Sequence, residues 1–382
     1  MTAFADVVAF AVGVVVLLVT VVSALKATIL PRGVPVRLSR QINRSVRYVL
    51  GLWAGSSASY ERRDRVMAAF GPVALLALLV TWLVLIYSAF VLMFVAVATP
   101  SWRVAVELSG SSLFTLGTAN PGKVGPDVLS YVEAGLGLLL LTLLITYLPS
   151  IYTAFSRREN GVGLLRTRAG NPPSPTTMLI RLHAIDGDNT RLTNLWLLWE
   201  SWFVDIEETH TSFAILSFFR SPRASESWVN AAGCCLDAAS LWLAAVEHGP
   251  DPEAHLCIRS GFLALRSIAT LFRVPFDPDP KSSDPITISR TEFDEALLRL
   301  VEGGVPVVSD WDEAWAAYRG WRVNYDTVLL DLARLVEAPP APWVSDRSPL
   351  RSGGASTGRR TKLHPFGRGD SEPLTPPGTT AS

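Results

Sequence analysis

Three long apolar runs dominate the first half of the chain. Val7 to Leu25 holds 19 residues without a charge, Val66 to Ala98 holds 33, and Ala134 to Phe155 holds 22. About 20 apolar residues in a helix cross the roughly 30 Å of bilayer hydrocarbon, so each run predicts a transmembrane helix. The second run exceeds one upright span. Gly71-Pro72 divides it, placing Pro72 in the first turn of the true span, where a missing N–H costs nothing. No basic segment precedes the first run and no A-x-A-like site follows it, so residues 4–26 read as an uncleaved span rather than a signal peptide.

Within the linker 31–65, Arg37, Arg40, Arg44 and Arg47 recur every three or four positions, in step with Leu38, Ile42, Val46, Val49 and Trp53. That spacing predicts an amphipathic helix lying on a leaflet with its arginines near anionic headgroups. Such a helix either couples movement to a pore or is an ordinary basic juxtamembrane segment. In the second half the period is helical throughout. Leu195, Leu198, Trp199, Trp202, Phe203 and Ile206 share a face, while Glu200, Asp205, Glu207 and Glu208 exclude a fourth span. Residues 156–175 read as a basic connector ending in Gly170-Asn171-Pro172-Pro173. Further helices are predicted around 225–247, 252–273, 291–302 and 310–337. Capping-box signals stand at Ser289/Glu292 and Ser309/Asp312, with a stop at Gly303-Gly304.

The predicted fold class is therefore an all-α membrane protein. It has three transmembrane helices, the second and third enclosing a re-entrant helix and loop within a module over 72–158, a cytoplasmic α-helical domain over 176–338 and a disordered tail over 339–382. The tail is rich in Pro, Gly, Ser and Thr and cannot bury enough apolar surface to order itself.

Charge fixes the expected orientation. The chain has zero net charge, which excludes a general basic attraction to nucleic acid, but its basic residues are unevenly placed. Arginines crowd the first linker (Arg32 to Arg65) and follow the third run (Arg157, Arg158, Arg166, Arg168), whereas residues 99–126 offer only Arg103 and Lys123. The positive-inside rule then puts the N-terminus outside and the long C-terminal region in the cytoplasm, across a plasma (inner) membrane. Cys234, Cys235 and Cys257 form no even framework, which fits a reducing compartment.

The stretch 101–122 between the second and third runs changes the picture. Ser101 to Phe114 has helical potential, then comes Thr115-Leu116-Gly117-Thr118-Ala119 and the turn Asn120-Pro121-Gly122. Non-helical backbone at membrane depth is tolerated only where protein buries it or water lines it. Filters use that exception to turn carbonyl oxygens toward an ion, and glycine supplies the dihedrals this needs. The order span, short helix, T-L-G, turn, span resembles the pore module of tetrameric potassium and related cation channels, whose filter reads T-V-G-Y-G. Thr115, Leu116 and Gly117 match; Thr118 stands where the family has tyrosine, Ala119 where it has the second glycine, and Asn120 where it has an acid.

The resemblance implies a homo-oligomer, most simply a tetramer, that passes a monovalent cation, potassium or sodium, through the bilayer. Thr115 would supply hydroxyl and carbonyl ligands, and Leu116, Gly117 and Thr118 carbonyl ligands. Pro149 would be a gate hinge in the inner helix, unless it only marks the start of a cytoplasmic extension. Gly135 and Gly137 permit close helix packing but are also ordinary in membrane helices.

The alternative function is a membrane-anchored cytoplasmic sensor or scaffold without conduction. No enzyme is expected. Asp205-Ile206-Glu207-Glu208-Thr209-His210 is not a HExxH helix, and His248, His255 and Cys257 lack the spacing of a metal site. Cys234-Cys235 read as small buried hydrophobes, and Gly161 and Gly163 do not complete a dinucleotide fingerprint. No cofactor is called for.

Overall fold

The computed structural model describes residues 3–28, 37–55, 60–99, 101–119, 122, 124–186 and 190–346. Contacts divide the chain into two compact units. One comprises the residues up to Phe155 together with Ser212–Phe219; the other comprises Ser156–Thr211 and the residues from Arg220 onward. The pattern of apolar runs puts the start of the second domain at 176, and the excursion of Ser212–Phe219 into the first unit is not visible in that pattern.

The first unit is built on three helices long and apolar enough to cross a membrane. α1 (Ala3–Thr28) packs along α4 (Phe70–Val97), and the buried Trp82 of α4 donates its indole N–H to Ser23 Oγ of α1 at 3.3 Å. Between them come α2 (Arg37–Ala54) and α3 (Tyr60–Met67). α2 keeps Tyr48, Leu52 and Trp53 exposed, as an interfacial helix would; residues 31–36 of the predicted linker lie outside the described residues. α4 begins at Phe70, so Pro72 does fall in its first turn. The short α5 (Trp102–Leu113) follows, then α6 (Val124–Ala169), 46 residues long.

Two apolar clusters hold this unit. Trp82, Ile86, Phe90 and Phe94 of α4 meet Ala105, Leu108 and Leu113 of α5 and Leu140 of α6. Met67, Phe70 and Ala74 meet Ile151 and Ala154, closed by Ile215 and Leu216 of a 3₁₀ turn, Ala214–Phe218. The rings of Phe70 and Phe218 stand edge to face at 5.4 Å.

The expected connector 156–175 is helix as far as Ala169: α6 runs through Pro149 and through the arginines without a break. Arginine is a good helix former, and the stop comes only at Gly170 (φ 84) before Pro172 and Pro173.

The second unit contains α7 (Pro175–Asp186), α8 (Thr190–Ser212), α9 (Trp228–Ala245), α10 (Pro252–Phe272), α11 (Arg290–Glu302), α12 (Trp311–Arg322) and α13 (Asp326–Leu335). α9 is the central helix, with every residue except Leu243 buried. Along α8 the predicted face holds at Trp199, Trp202, Phe203 and Ile206, but Leu198 is 42% exposed.

Three further expectations need correction. The stretch 310–337 is two helices, because Asn324 turns its amide onto the carbonyls of Gly320 and Trp321 and ends α12. That helix is capped by Asp310, whose carboxylate accepts from the N–H groups of Asp312 and Glu313 at 3.0 Å, rather than by Ser309. The capping box at Ser289 and Glu292 is present. Residues 339–346 are not a disordered tail: Asn230 donates to Pro339 O at 2.8 Å, Arg322 to Trp343 O at 2.8 Å, and Val344 is buried. The rest of the predicted tail lies outside the described residues.

Candidate functional site

α5 runs back down between α4 and α6. The main-chain oxygen of Leu113 lies so close to Gly137 that a Cβ there would stand 2.4 Å from it, so glycine is what lets the end of α5 rest against α6. Gly135 has no neighbour of this kind.

Depth follows from helical rise. At 1.5 Å per residue, Gly137 is roughly 20 Å along α6 from Val124, and Leu83, which lines the same small cavity as Leu113 and Thr115, is roughly 20 Å along α4 from Val97. Both positions fall within the uncharged runs of their helices. That cavity, about 180 Å³, extends along α6 to Leu144.

The chain leaves α5 there through a Schellman turn. Leu116 N–H donates to Ser111 O at 2.8 Å and Thr115 N–H to Ser112 O at 3.0 Å, the bond pair that satisfies orphan carbonyls at a helix end. The left-handed position of such a turn is usually glycine; here it is Thr115, at φ 54. Gly117 is also left-handed, at φ 68, while the neighbours Leu116 and Thr118 are not, so φ changes sign at each step. Ser111 Oγ closes the loop, accepting from Ala119 N–H at 3.0 Å and lying 3.4 Å from Ala119 O.

Phe114 to Thr118 are all exposed within the single chain; Leu116 is 64% exposed, and nothing lies within 4 Å of where a Gly117 Cβ would be. Thr115 Oγ1 turns onto Phe114 O at 2.8 Å. The four predicted filter residues thus stand together on one exposed loop, with Asn120 outside the described residues. Pro149 lies elsewhere, inside α6, where it removes the N–H that Ile145 O would have accepted. It lines a second, apolar cavity of about 640 Å³ with Trp82, Leu144 and Tyr147.

Two residues of this region escaped the sequence reading. Ser109 and Glu133 are both fully buried and joined at 2.5 Å, Oγ to Oε1. The available signal was an acid at the mouth of an apolar run, facing a run of serines.

In the second unit the candidates for chemistry are spent on structure. His248 stacks on Trp242 at 4.8 Å and His255 packs on Trp321 at 5.2 Å. Cys234, Cys235 and Cys257 are free and buried, and burial pushes all three thiols up, away from the reactive thiolate. Among the described residues no group of three or more His, Cys, Asp or Glu is placed to hold a metal ion.

A helical protein with three apolar helices of spanning length is a membrane protein by class. It is similar to a membrane protein of Bacillus subtilis (strain 168), the uncharacterized YdjJ, at 22% identity over 279 residues, which cover 68% of this chain and 75% of that one. No family model matches the chain, and no solved structure matches it.

Proposed function

We propose that the chain is the subunit of an oligomeric channel that passes monovalent cations, potassium first, across the plasma membrane through main-chain oxygens of Thr115, Leu116, Gly117 and Thr118. One observation carries this reading. A non-helical segment of alternating handedness sits well below the ends of α4 and α6, and its own chain leaves it uncovered. Lipid cannot satisfy such a backbone, so other copies or water must. A ring of copies supplies both, with carbonyls replacing an ion's hydration shell. A tetramer is the simplest ring, and the distribution of arginine supports a cytoplasmic second unit.

The departures at Thr118 and Ala119, together with the size of the second unit, favour a second reading, a membrane-anchored sensor or scaffold. Reconstitution separates the two. Purified full-length protein in liposomes is expected to pass potassium in preference to sodium. Gly117→Val is expected to abolish flux while the oligomer keeps its size on gel filtration, because a β-branched residue resists φ 68. A monomeric protein without flux would establish the anchor reading instead.

A further inference from the structure

Ser109 Oγ stands between two oxygens on different helices. Glu133 Oε1 of α6 is 2.5 Å away and the main-chain oxygen of Tyr87 on α4 is 3.2 Å away. Glu133 Oε2 is buried without a hydrogen-bond partner. Ser109 has a single proton to give. If Glu133 were a carboxylate, that proton could satisfy one oxygen only, and the second carboxylate oxygen would remain bare among apolar side chains.

Among the described residues no cation stands by to compensate. α4 carries no charged residue, and Tyr87, its one titratable side chain, donates to Val106 O at 3.2 Å. On α5, Arg103 and Glu107 pair with each other at 3.2 Å and are exposed. On α6, Asp127 lies in the first turn and Tyr131 is exposed. The charges of α1, Asp6 and Lys26, lie in its first and last turns. An unpaired buried ion is among the costliest features a protein can carry, and in a membrane it marks a functional residue. With a proton on Glu133 the buried charge disappears, and Oε2 is left as a neutral carbonyl oxygen. Its O–H donates to Ser109 Oγ, and Ser109 O–H donates to Tyr87 O.

The geometry points to Glu133 as a protonated positioning residue, whose bond to Ser109 ties α6, α5 and α4 into one directed hydrogen-bond chain and is released when the proton leaves. Ser109 lies on the same helix as Ser111, which closes the 115–118 loop, so seating α5 seats the loop. The consequence for conduction rests on the channel reading; the proton itself does not.

Infrared difference spectra of the reconstituted full-length protein test the proton directly. The expected result is a protonated-carboxyl band at neutral pH that disappears on alkalinisation and is absent in Glu133→Gln. Potassium flux tests the positioning. Wild type is expected to lose at least tenfold of its flux toward alkaline pH. Glu133→Gln, whose amide donates the same bond at every pH, is expected to keep flux and lose that pH dependence, whereas Glu133→Ala and Ser109→Ala lose flux at all pH values. An absent band at neutral pH, or a Glu133→Gln variant with the wild-type pH profile, would overturn the inference. A band present in a protein that conducts nothing would sink the channel and leave the protonated Glu133 standing.

Discussion

Each unit buries carboxylates, and Glu133 of the first is treated in the opposite way to Asp237 and Asp326 of the second. In the second, Arg322 lies wholly buried between Asp237 and Asp326, meeting Asp237 Oδ2 at 2.6 Å and Asp326 Oδ1 at 2.7 Å. Tyr325 and Tyr318 add hydroxyl donors to Asp237 at 2.9 and 3.3 Å, and Thr287 donates its N–H and hydroxyl to Asp326, both at 2.8 Å. Those oxygens have donors to spare. In the first unit Glu133 has one bond and a bare oxygen. A saturated network is what a core uses to fix one arrangement of its helices. An unsaturated acid has a second state within reach, and that is where movement or titration is to be sought.

The sharpest way to break this contrast is to remove the hub of the saturated network. Arg322→Met leaves Asp237 and Asp326 buried without their cation, and full-length protein in detergent is expected to lose about 3–5 kcal/mol of stability in denaturant unfolding. A near-neutral result would mean that the network is decoration. A smaller effect concerns His210, fully buried beside Trp228 at 4.7 Å. Burial first, then the charge of Arg158, hold its imidazole well below 6.5. The unfolded chain takes a proton near 6.5 while the folded one does not, so the unfolded state binds more protons below that pH and stability falls as pH drops. Melting temperature should decline on mild acidification, and His210→Phe should flatten that decline. The smallest effect returns to the loop. Thr115→Gly removes a left-handed side-chained residue and should raise stability by about 1 kcal/mol, while altering, on the channel proposal, which cation passes. Unchanged stability would show that the turn tolerates threonine without strain.

What the sequence made legible was whatever depends on neighbours along the chain. An uncharged run of spanning length announces a membrane helix regardless of its partners, and a T-x-G tripeptide before Asn-Pro-Gly marks a loop. The Ser289 box was readable for the same reason. What stayed hidden depends on distant partners. Ser109 and Glu133 are 24 positions apart, and neither helix pattern says that they face each other. Trp343 and Val344 were lost inside a Pro-rich stretch whose average composition reads as unstructured, although α12 holds Trp343 and α9 meets Val344. The arginines after Phe155 suggested a connector because charge ends a membrane span, but charge does not end a helix.

The aromatic segment Ser212–Phe219 leaves a last consequence, for biosynthesis. It is translated after all three spans, yet it completes the cluster around Phe70 and Ile151. Until the ribosome has passed Phe219, the nascent bundle lacks its own plug, and a polypeptide terminated just beyond α6 would expose Met67, Phe70 and Ala154 to whatever chaperone or protease meets it first.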